Sequence, residues 1–230
     1  MTLLWTSLPA SRLLADVSLW SANLAEPGAE VKKMEPYADL FHLDVSDAHF
    51  VSGLLFFPDL VAALRPLTQI PFHVHLMTEH PSELVDAFAD AGVDMITVHH
   101  ENGPEAVKAL EKIHQRGLAA GLALGQDIAP EGIIEYLEHI QLVLLMGTRL
   151  GVKGQSLNPA TYARIQTTRN ILQEHGYADK IKVGVDGGIR EQTVPLLRAA
   201  GADLIVPGSL VFQSSDLAQT LNWLHTLPTE

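Results

Sequence analysis

Cysteine is absent from this 230-residue chain. Disulfides and thiolate chemistry are therefore excluded. That composition agrees with a reducing compartment, and a cytoplasmic location is the expectation. Basic runs are absent too. Fifteen Lys and Arg stand against 27 Asp and Glu, for a net charge of −12. Such a balance argues against nucleic acid or an anionic membrane as partner. A small anionic substrate stays open, because helix N-termini and backbone N–H groups bind phosphate without net positive charge. No apolar run approaches the ~20 residues of a membrane span. Met1 to Leu14 mixes Ser, Pro and Arg with apolar residues and lacks the basic start and long apolar core of a signal peptide. Linkers and low-complexity stretches are missing, so one domain over residues 1–230 is expected.

What is present fits a large core: 47% hydrophobic and 18% charged residues. Short β-like runs are expected near 13–20, 39–45, 72–77, 95–100, 119–125, 142–147, 182–186 and 204–208. Helical patterns lie between them, near 28–37, 57–66, 82–91, 104–116, 130–138, 158–176, 190–200 and 215–226. Pro58 and Pro104 sit at first-turn positions; Gly92, Gly117 and Gly201 sit at helix ends. Eight βα units with buried strand runs predict one (β/α)8 barrel. An open doubly wound sheet is the structural alternative. Its Gly-x-Gly-x-x-Gly after the first strand is missing; Ser18-Leu-Trp-Ser-Ala-Asn23 stands there instead.

In such barrels the chemistry sits at the C-terminal ends of the strands. Phe41-His-Leu-Asp-Val-Ser-Asp-Ala-His-Phe50 is the most informative segment. Residues i and i+2 of a strand share a face, so His42 and Asp44 project together. Pro71-Phe-His-Val-His-Leu-Met77 repeats the pattern with His73 and His75. Val183-Gly-Val-Asp-Gly-Gly-Ile189 adds Asp186 and two glycines. Two His and two Asp at the ends of three apolar runs can make one metal site with acid–base chemistry. Six of the eleven histidines (His42, His49, His73, His75, His99, His100) fall in or just after strands two to four. A single buried strand histidine is often only a hydrogen-bonded core residue; the bunching favours function.

The chain resembles the ribulose-phosphate 3-epimerase family from about Ser18 to Phe212. The matching phrases are Ser21-Ala-Asn, His42-Leu-Asp-Val-Ser-Asp-Ala-His-Phe-Val51, Val74-His-Leu-Met77, Ile96-Thr-Val-His99, Gly154-Gln155, Val185-Asp-Gly-Gly188 and Gly208-Ser209. The resemblance implies a (β/α)8 barrel of the ribulose-phosphate-binding type, acting on a small-molecule sugar phosphate. It implies one divalent ion held by His42, Asp44, His75 and Asp186. A His2Asp2 set suits zinc, iron(II), manganese or cobalt. It further implies a homo-oligomer, commonly a dimer or hexamer. Epimerisation removes a proton beside a ketone from one face and returns it on the other, which needs two acid–base groups. Asp44 and Asp186, roughly across the barrel from each other, are the catalytic candidates. Substrate contacts are expected from Ser21, His75, Met77 and Met146. The phosphate is expected near Gly151, Gly154, Gly187, Gly188, Gly208 and Ser209, with Lys153 beside it.

Several positions depart from the family pattern. Ser46 stands where methionine is usual, Ala48 where glycine is, and His73 where aspartate is common. Arg149-Leu-Gly-Val-Lys-Gly-Gln155 replaces Asn-Pro-Gly-Phe-Gly-Gly-Gln, so Lys153 takes a glycine's place and Arg149 adds a cation. Gly125-Gln-Asp127 replaces Asn-Pro. His73 is expected one layer beneath His75, supporting the metal site. Of His99 and His100, one should face the barrel. His80, His114, His139, His175 and His225 are expected at the surface, and Trp5, Trp20 and Trp223 in packing. Two other functions stay open. A decarboxylase or aldolase on this framework would need an Asp-x-Lys-x-x-Asp cluster, which is absent. A non-catalytic sugar-phosphate binder would have no need of both carboxylates.

Overall fold

The computed structural model of the chain describes residues 8–228 except residue 10; Trp5 lies outside the described residues. Eight parallel strands close on themselves in sequence order. They are β1 (Leu14–Ser18), β2 (Leu40–Ser46), β3 (Phe72–Met77), β4 (Met95–His99), β5 (Ala119–Leu124), β6 (Leu142–Met146), β7 (Lys182–Asp186) and β8 (Leu204–Val206). Around them run α1 (Pro27–Met34), α2 (Pro58–Leu64), α3 (Pro81–Asp90), α4 (Pro104–Gln115), α5 (Ala160–Glu174), α6 (Val194–Ala199), α7 (Ser209–Phe212) and α8 (Leu217–Thr226). The closed barrel settles the choice against an open sheet.

Helix starts follow the prolines. Pro27, Pro58, Pro81 and Pro104 each occupy the first turn, where a missing N–H costs nothing. Gly92, Gly117 and Gly201 take left-handed φ just past α3, α4 and α6. Three expectations are corrected. The helix expected over 130–138 is a 3-10 helix, Pro130–Tyr136, where Gly132 weakens the helical pattern. The helix expected from 190 begins only at Val194. The last helical pattern is preceded by a separate short helix, α7, starting straight after Gly208.

Alternation along the strands separates two cores. Leu14, Leu40, Met95, Ala119, Leu142 and Leu204 pack inside the barrel. Residues of opposite parity, such as Val17, Phe41, Val74 and Ile96, pack outward against the helices. One layer above the apolar floor, the inward side chains on β1 to β4 are Asp16, His42, His73 and Thr97. All four are fully buried.

The lower rim has its own repeating device. Residues just before the even-numbered strands accept an N–H near the start of the preceding strand. Asp39 accepts from Ala15 (2.9 Å), Asp94 from Phe72 (2.8 Å), Gln141 from Ala120 (2.8 Å) and Asp203 from Val183 (2.8 Å). Each aspartate also meets an arginine: Arg12, Arg65 and Arg169 respectively. Strand-end amides left bare at a buried rim would be costly, and these side chains satisfy them. His225 of α8, expected at the surface, is half-buried and pairs with Asp39 at 3.1 Å.

Burial alone would raise the Asp39 carboxyl, but hydrogen bonds from His225, Arg12 and Ala15 hold it below its ordinary value. A lowered folded-state pKa stabilises the fold above the ordinary aspartate range near ~4 and is lost as pH falls through the folded value. Asp39→Ala is therefore expected to lower unfolding free energy by about 2–3 kcal/mol at neutral pH. Part of that deficit should vanish at acid pH. Urea titrations at two pH values check it; an equal deficit at both would show that the carboxylate charge contributes nothing.

Candidate functional site

Three strands deliver one cluster. β2 carries His42 and Asp44, β3 carries His75 in register beside Asp44, and β7 ends on Asp186. β7 and β2 are separated by β8 and β1 around the closed barrel, so Asp186 approaches from another side. One ligand atom from each of the four lies within 4.8 Å of all the others. Nε2 of His42 is 3.3 Å from Asp44 Oδ1 and 3.9 Å from Asp186 Oδ2. Nδ1 of His75 is 3.3 Å and 3.6 Å from the same two oxygens. His42 Nε2 is buried and has no hydrogen-bond partner. An orphaned buried nitrogen aimed at two carboxylates fits a divalent cation. The mixed nitrogen and oxygen donors suit a transition metal.

Both imidazoles are held from behind. Nδ1 of His42 lies 2.9 Å from Asp16 Oδ2, on β1. Nε2 of His75 lies 2.8 Å from Nε2 of His99, whose Nδ1 faces Glu101 at 3.4 Å. Thus His99 is the member of its pair that faces the barrel; His100 turns outward against the Tyr136 ring, 5.8 Å between centroids. His73 does lie beneath the cluster, and it bonds Asp16 and Thr97, not a candidate ligand.

The electrostatics separate the two carboxylates. Burial would raise Asp44, but His42 and His75 outweigh it and hold its carboxyl far below the usual range. Asp186 is pushed up to about 7, first by burial and then by the Asp44 charge. His75 is pushed down to about 3, by burial and then by the neighbouring imidazoles, against the pull of Asp44. For His42 the charges of Asp16 and Asp44 overcome burial, and its pKa rises well above the ordinary value. Binding of a divalent ion to such a donor set generally releases protons.

Above the cluster opens a cavity of about 450 Å³, within the range of small-molecule sites. Asp44 and Asp186 reach its wall, whereas His42 and His75 are fully buried behind it. Met77 and Met146 form apolar wall, and Ser21, Gly208 and Ser209 lie on another side. Gly151, Lys153, Gly154, Gly187 and Gly188 line it as well; His75, also expected to touch substrate, does not. At several of these places a Cβ would crowd its neighbours. A Cβ on Gly188, already at φ +73°, would lie 2.6 Å from the Leu157 backbone; one on Gly208 would lie 2.3 Å from Ser21 Oγ.

Lys153 crosses the mouth. Its Nζ bonds the Trp20 carbonyl and sits 4.7 Å from the centroid of the Trp20 ring. Trp20, expected only to pack, is therefore cavity wall. Ser46 is not part of that wall: its hydroxyl donates to the Gly53 carbonyl at 3.0 Å. His49 is exposed in the loop after β2.

Sequence reasoning missed four residues. Ser18 donates to Asp44 Oδ2 at 3.0 Å. Arg190 adds a third cation to the cavity wall beside Lys153 and Arg149. Asp16 and Thr97 lie beneath the cluster. A carboxylate inside the apolar run Leu13–Val17 was the available signal for Asp16, since a buried unpaired acid is rare.

Comparison with known proteins fits this geometry. A model of the ribulose-phosphate 3-epimerase family matches residues 14–212. Ribulose-phosphate 3-epimerase of Bacillus subtilis strain 168 is 36% identical over 206 residues, covering 89% of this chain and 94% of the relative. That of Chlamydia pneumoniae is 36% identical, covering 90% of each. Among solved structures, a 3-hexulose-6-phosphate synthase aligns over 95% of this chain and 100% of its own, with a TM-score of 0.65 and 16% identity. KGPDC from Streptococcus mutans covers 93% and 99%, with a TM-score of 0.66 and 13% identity. These two share the barrel fold. The sequence matches go further: this chain belongs to the ribulose-phosphate 3-epimerase family, whose members are isomerases acting on carbohydrate phosphates.

Proposed function

We propose that the chain is a metal-dependent 3-epimerase of a phosphorylated ketose, D-ribulose 5-phosphate or a close relative. The carrying observation is the convergence of His42, Asp44, His75 and Asp186 at the floor of a cavity, with both carboxylates on its wall. His42 and His75 would hold the ion together with the two aspartates. Zinc, iron(II), manganese and cobalt all suit that donor set. When bound, a divalent ion acts as a Lewis acid toward the oxygens beside the reacting carbon.

The side chains of the cavity supply the rest. Asp44 and Asp186 approach from different sides of the barrel and serve as proton acceptor and donor. Ser18 orients Asp44 through its hydrogen bond. Met77 and Met146 keep water off the reacting face. The sugar phosphate would sit against the backbone of Gly187, Gly188, Gly208 and Ser209, in the turns that follow β7 and β8. Lys153, Arg149 and Arg190 add positive charge at the mouth of an otherwise acidic chain. We further propose a cytoplasmic homo-oligomer, dimer or hexamer, on family resemblance.

Incubating the protein in D2O with a panel of ketopentose and ketohexose phosphates tests the reading. Deuterium should enter at C3 of one substrate, stop on chelation and resume when a divalent ion is returned. Exchange that survives complete metal removal would sink the metal-dependent mechanism. Asp186→Asn keeps the volume but cannot exchange the proton. It is expected to lower kcat by 10²-fold or more, about the usual worth of general acid–base catalysis. Metal content should be measured alongside; near-normal turnover would remove Asp186 from the chemistry.

Lys153→Gly is expected to raise KM severalfold with a smaller change in kcat, because a remote charge contact binds ground and transition states alike. Kinetics at two salt concentrations check this. If KM is unchanged at both, Lys153 serves only to tie its loop to Trp20.

A further inference from the structure

We infer that Asp16 is a positioning residue for the metal site: it fixes the tautomer and orientation of His42, and is itself held by a His73–Thr97 relay. This rests on the metal reading proposed above.

Asp16 is fully buried at the centre of the barrel. Its Oδ2 receives two contacts, His42 Nδ1 at 2.9 Å and His73 Nδ1 at 2.6 Å. A carboxylate can only accept, so both imidazoles present Nδ1–H to it. His42 is then left with Nε2 as the atom facing Asp44 and Asp186, and that atom is the orphan. A carboxylate on the far nitrogen of a ligating imidazole also makes the ring a stronger donor.

The relay continues on the other side. His73 Nε2 lies 2.7 Å from Thr97 Oγ1. With Nδ1 donating to Asp16, Nε2 of a neutral ring accepts, and the hydroxyl donates. Thr97 has room because β5 carries Gly121 opposite it: a Cβ there would lie 2.1 Å from the hydroxyl. Residues from four neighbouring strands, β1, β2, β3 and β4, are thus fitted to one another, with a gap left on β5. Packing alone gives no reason for this. A buried carboxylate carries a heavy desolvation cost, and an apolar residue would fill the space more stably.

The network also accounts for one departure from the family pattern. An aspartate is common at the position of His73, which is the in-register neighbour of His42 across β2 and β3. Here that position is an imidazole, and the carboxylate comes from β1.

The test is metal affinity, measured by chelator competition with cobalt(II) and zinc(II), together with the visible absorption of the cobalt form. The unmodified chain should bind one ion; failure to bind would overturn both this inference and the metal reading. Asp16→Asn is expected to bind about 10- to 100-fold more weakly with an altered cobalt spectrum. Affinity within twofold and an unchanged spectrum would overturn the positioning role while leaving the metal reading intact. Thr97→Val removes only the hydroxyl at the end of the relay and stands in if Asp16→Asn does not fold. It should weaken binding severalfold, and unchanged affinity there would count against the relay.

Discussion

Side chains alternate along a β-strand, and the interior of an eight-stranded barrel has space for only a few layers of them. Everything at this site depends on how those layers are filled. The floor is apolar, with Leu14, Leu40, Met95, Ala119, Leu142 and Leu204. The next layer is polar on β1 to β4, with Asp16, His42, His73 and Thr97, and apolar or empty on the strands opposite, where Gly121, Leu144 and Gly184 stand. The top layer carries Asp44, His75, His99 and Asp186. Buried polar groups survive only when partnered. The polar half-layer is bonded sideways, between neighbouring strands, and two of its buried atoms, Asp16 Oδ1 and His42 Nε2, are left without a hydrogen-bond partner.

That arrangement separates rigid parts from variable ones. The candidate ligands sit on strands whose register is set by barrel closure. The mouth is built from loops, above all the one after β6, which carries Arg149 and Lys153. A lysine in place of glycine gives that loop an anchor, the Trp20 carbonyl and ring, far away in sequence. Changes in the loop can reshape the substrate end without touching the ligand set. Chemistry and substrate choice can therefore vary separately on this scaffold.

The strands, the barrel and the four candidate ligands were legible in the sequence because each is a local pattern. A two-residue spacing puts His42 with Asp44, and His73 with His75, whatever surrounds them. Contacts between strands were not legible in the same way. Asp16 reads as a lone acid in an apolar run until its neighbour across β1 and β2 is known. Ser18 reads no differently from Ser21 in the sequence; only its hydrogen bond across β1 and β2 to Asp44 sets it apart. The 3-10 segment after β5 has the composition of a helix interrupted by Gly132. Ala48 shows the reverse: its left-handed φ of 63° gives a physical reason for the glycine usual there, which only Cβ-free residues occupy without strain.

The buried acid also bears on the ion. Asp44, Asp186 and a divalent cation would together be neutral; Asp16 adds one further negative charge a single imidazole away. In a low-dielectric interior that charge acts strongly. It favours positive charge beside His42, and it disfavours adding a second free negative charge to the cluster. In the proposed function, an anionic substrate keeps its phosphate by Lys153, Arg149, Arg190 and the glycine-rich turns and brings its neutral sugar end to the aspartates. Such a charge layout would orient a sugar phosphate before any hydrogen bond or close-fitting contact is made. It also explains how a chain of net charge −12 can serve an anion: the negative charge that matters is at the floor, and the positive charge is at the door.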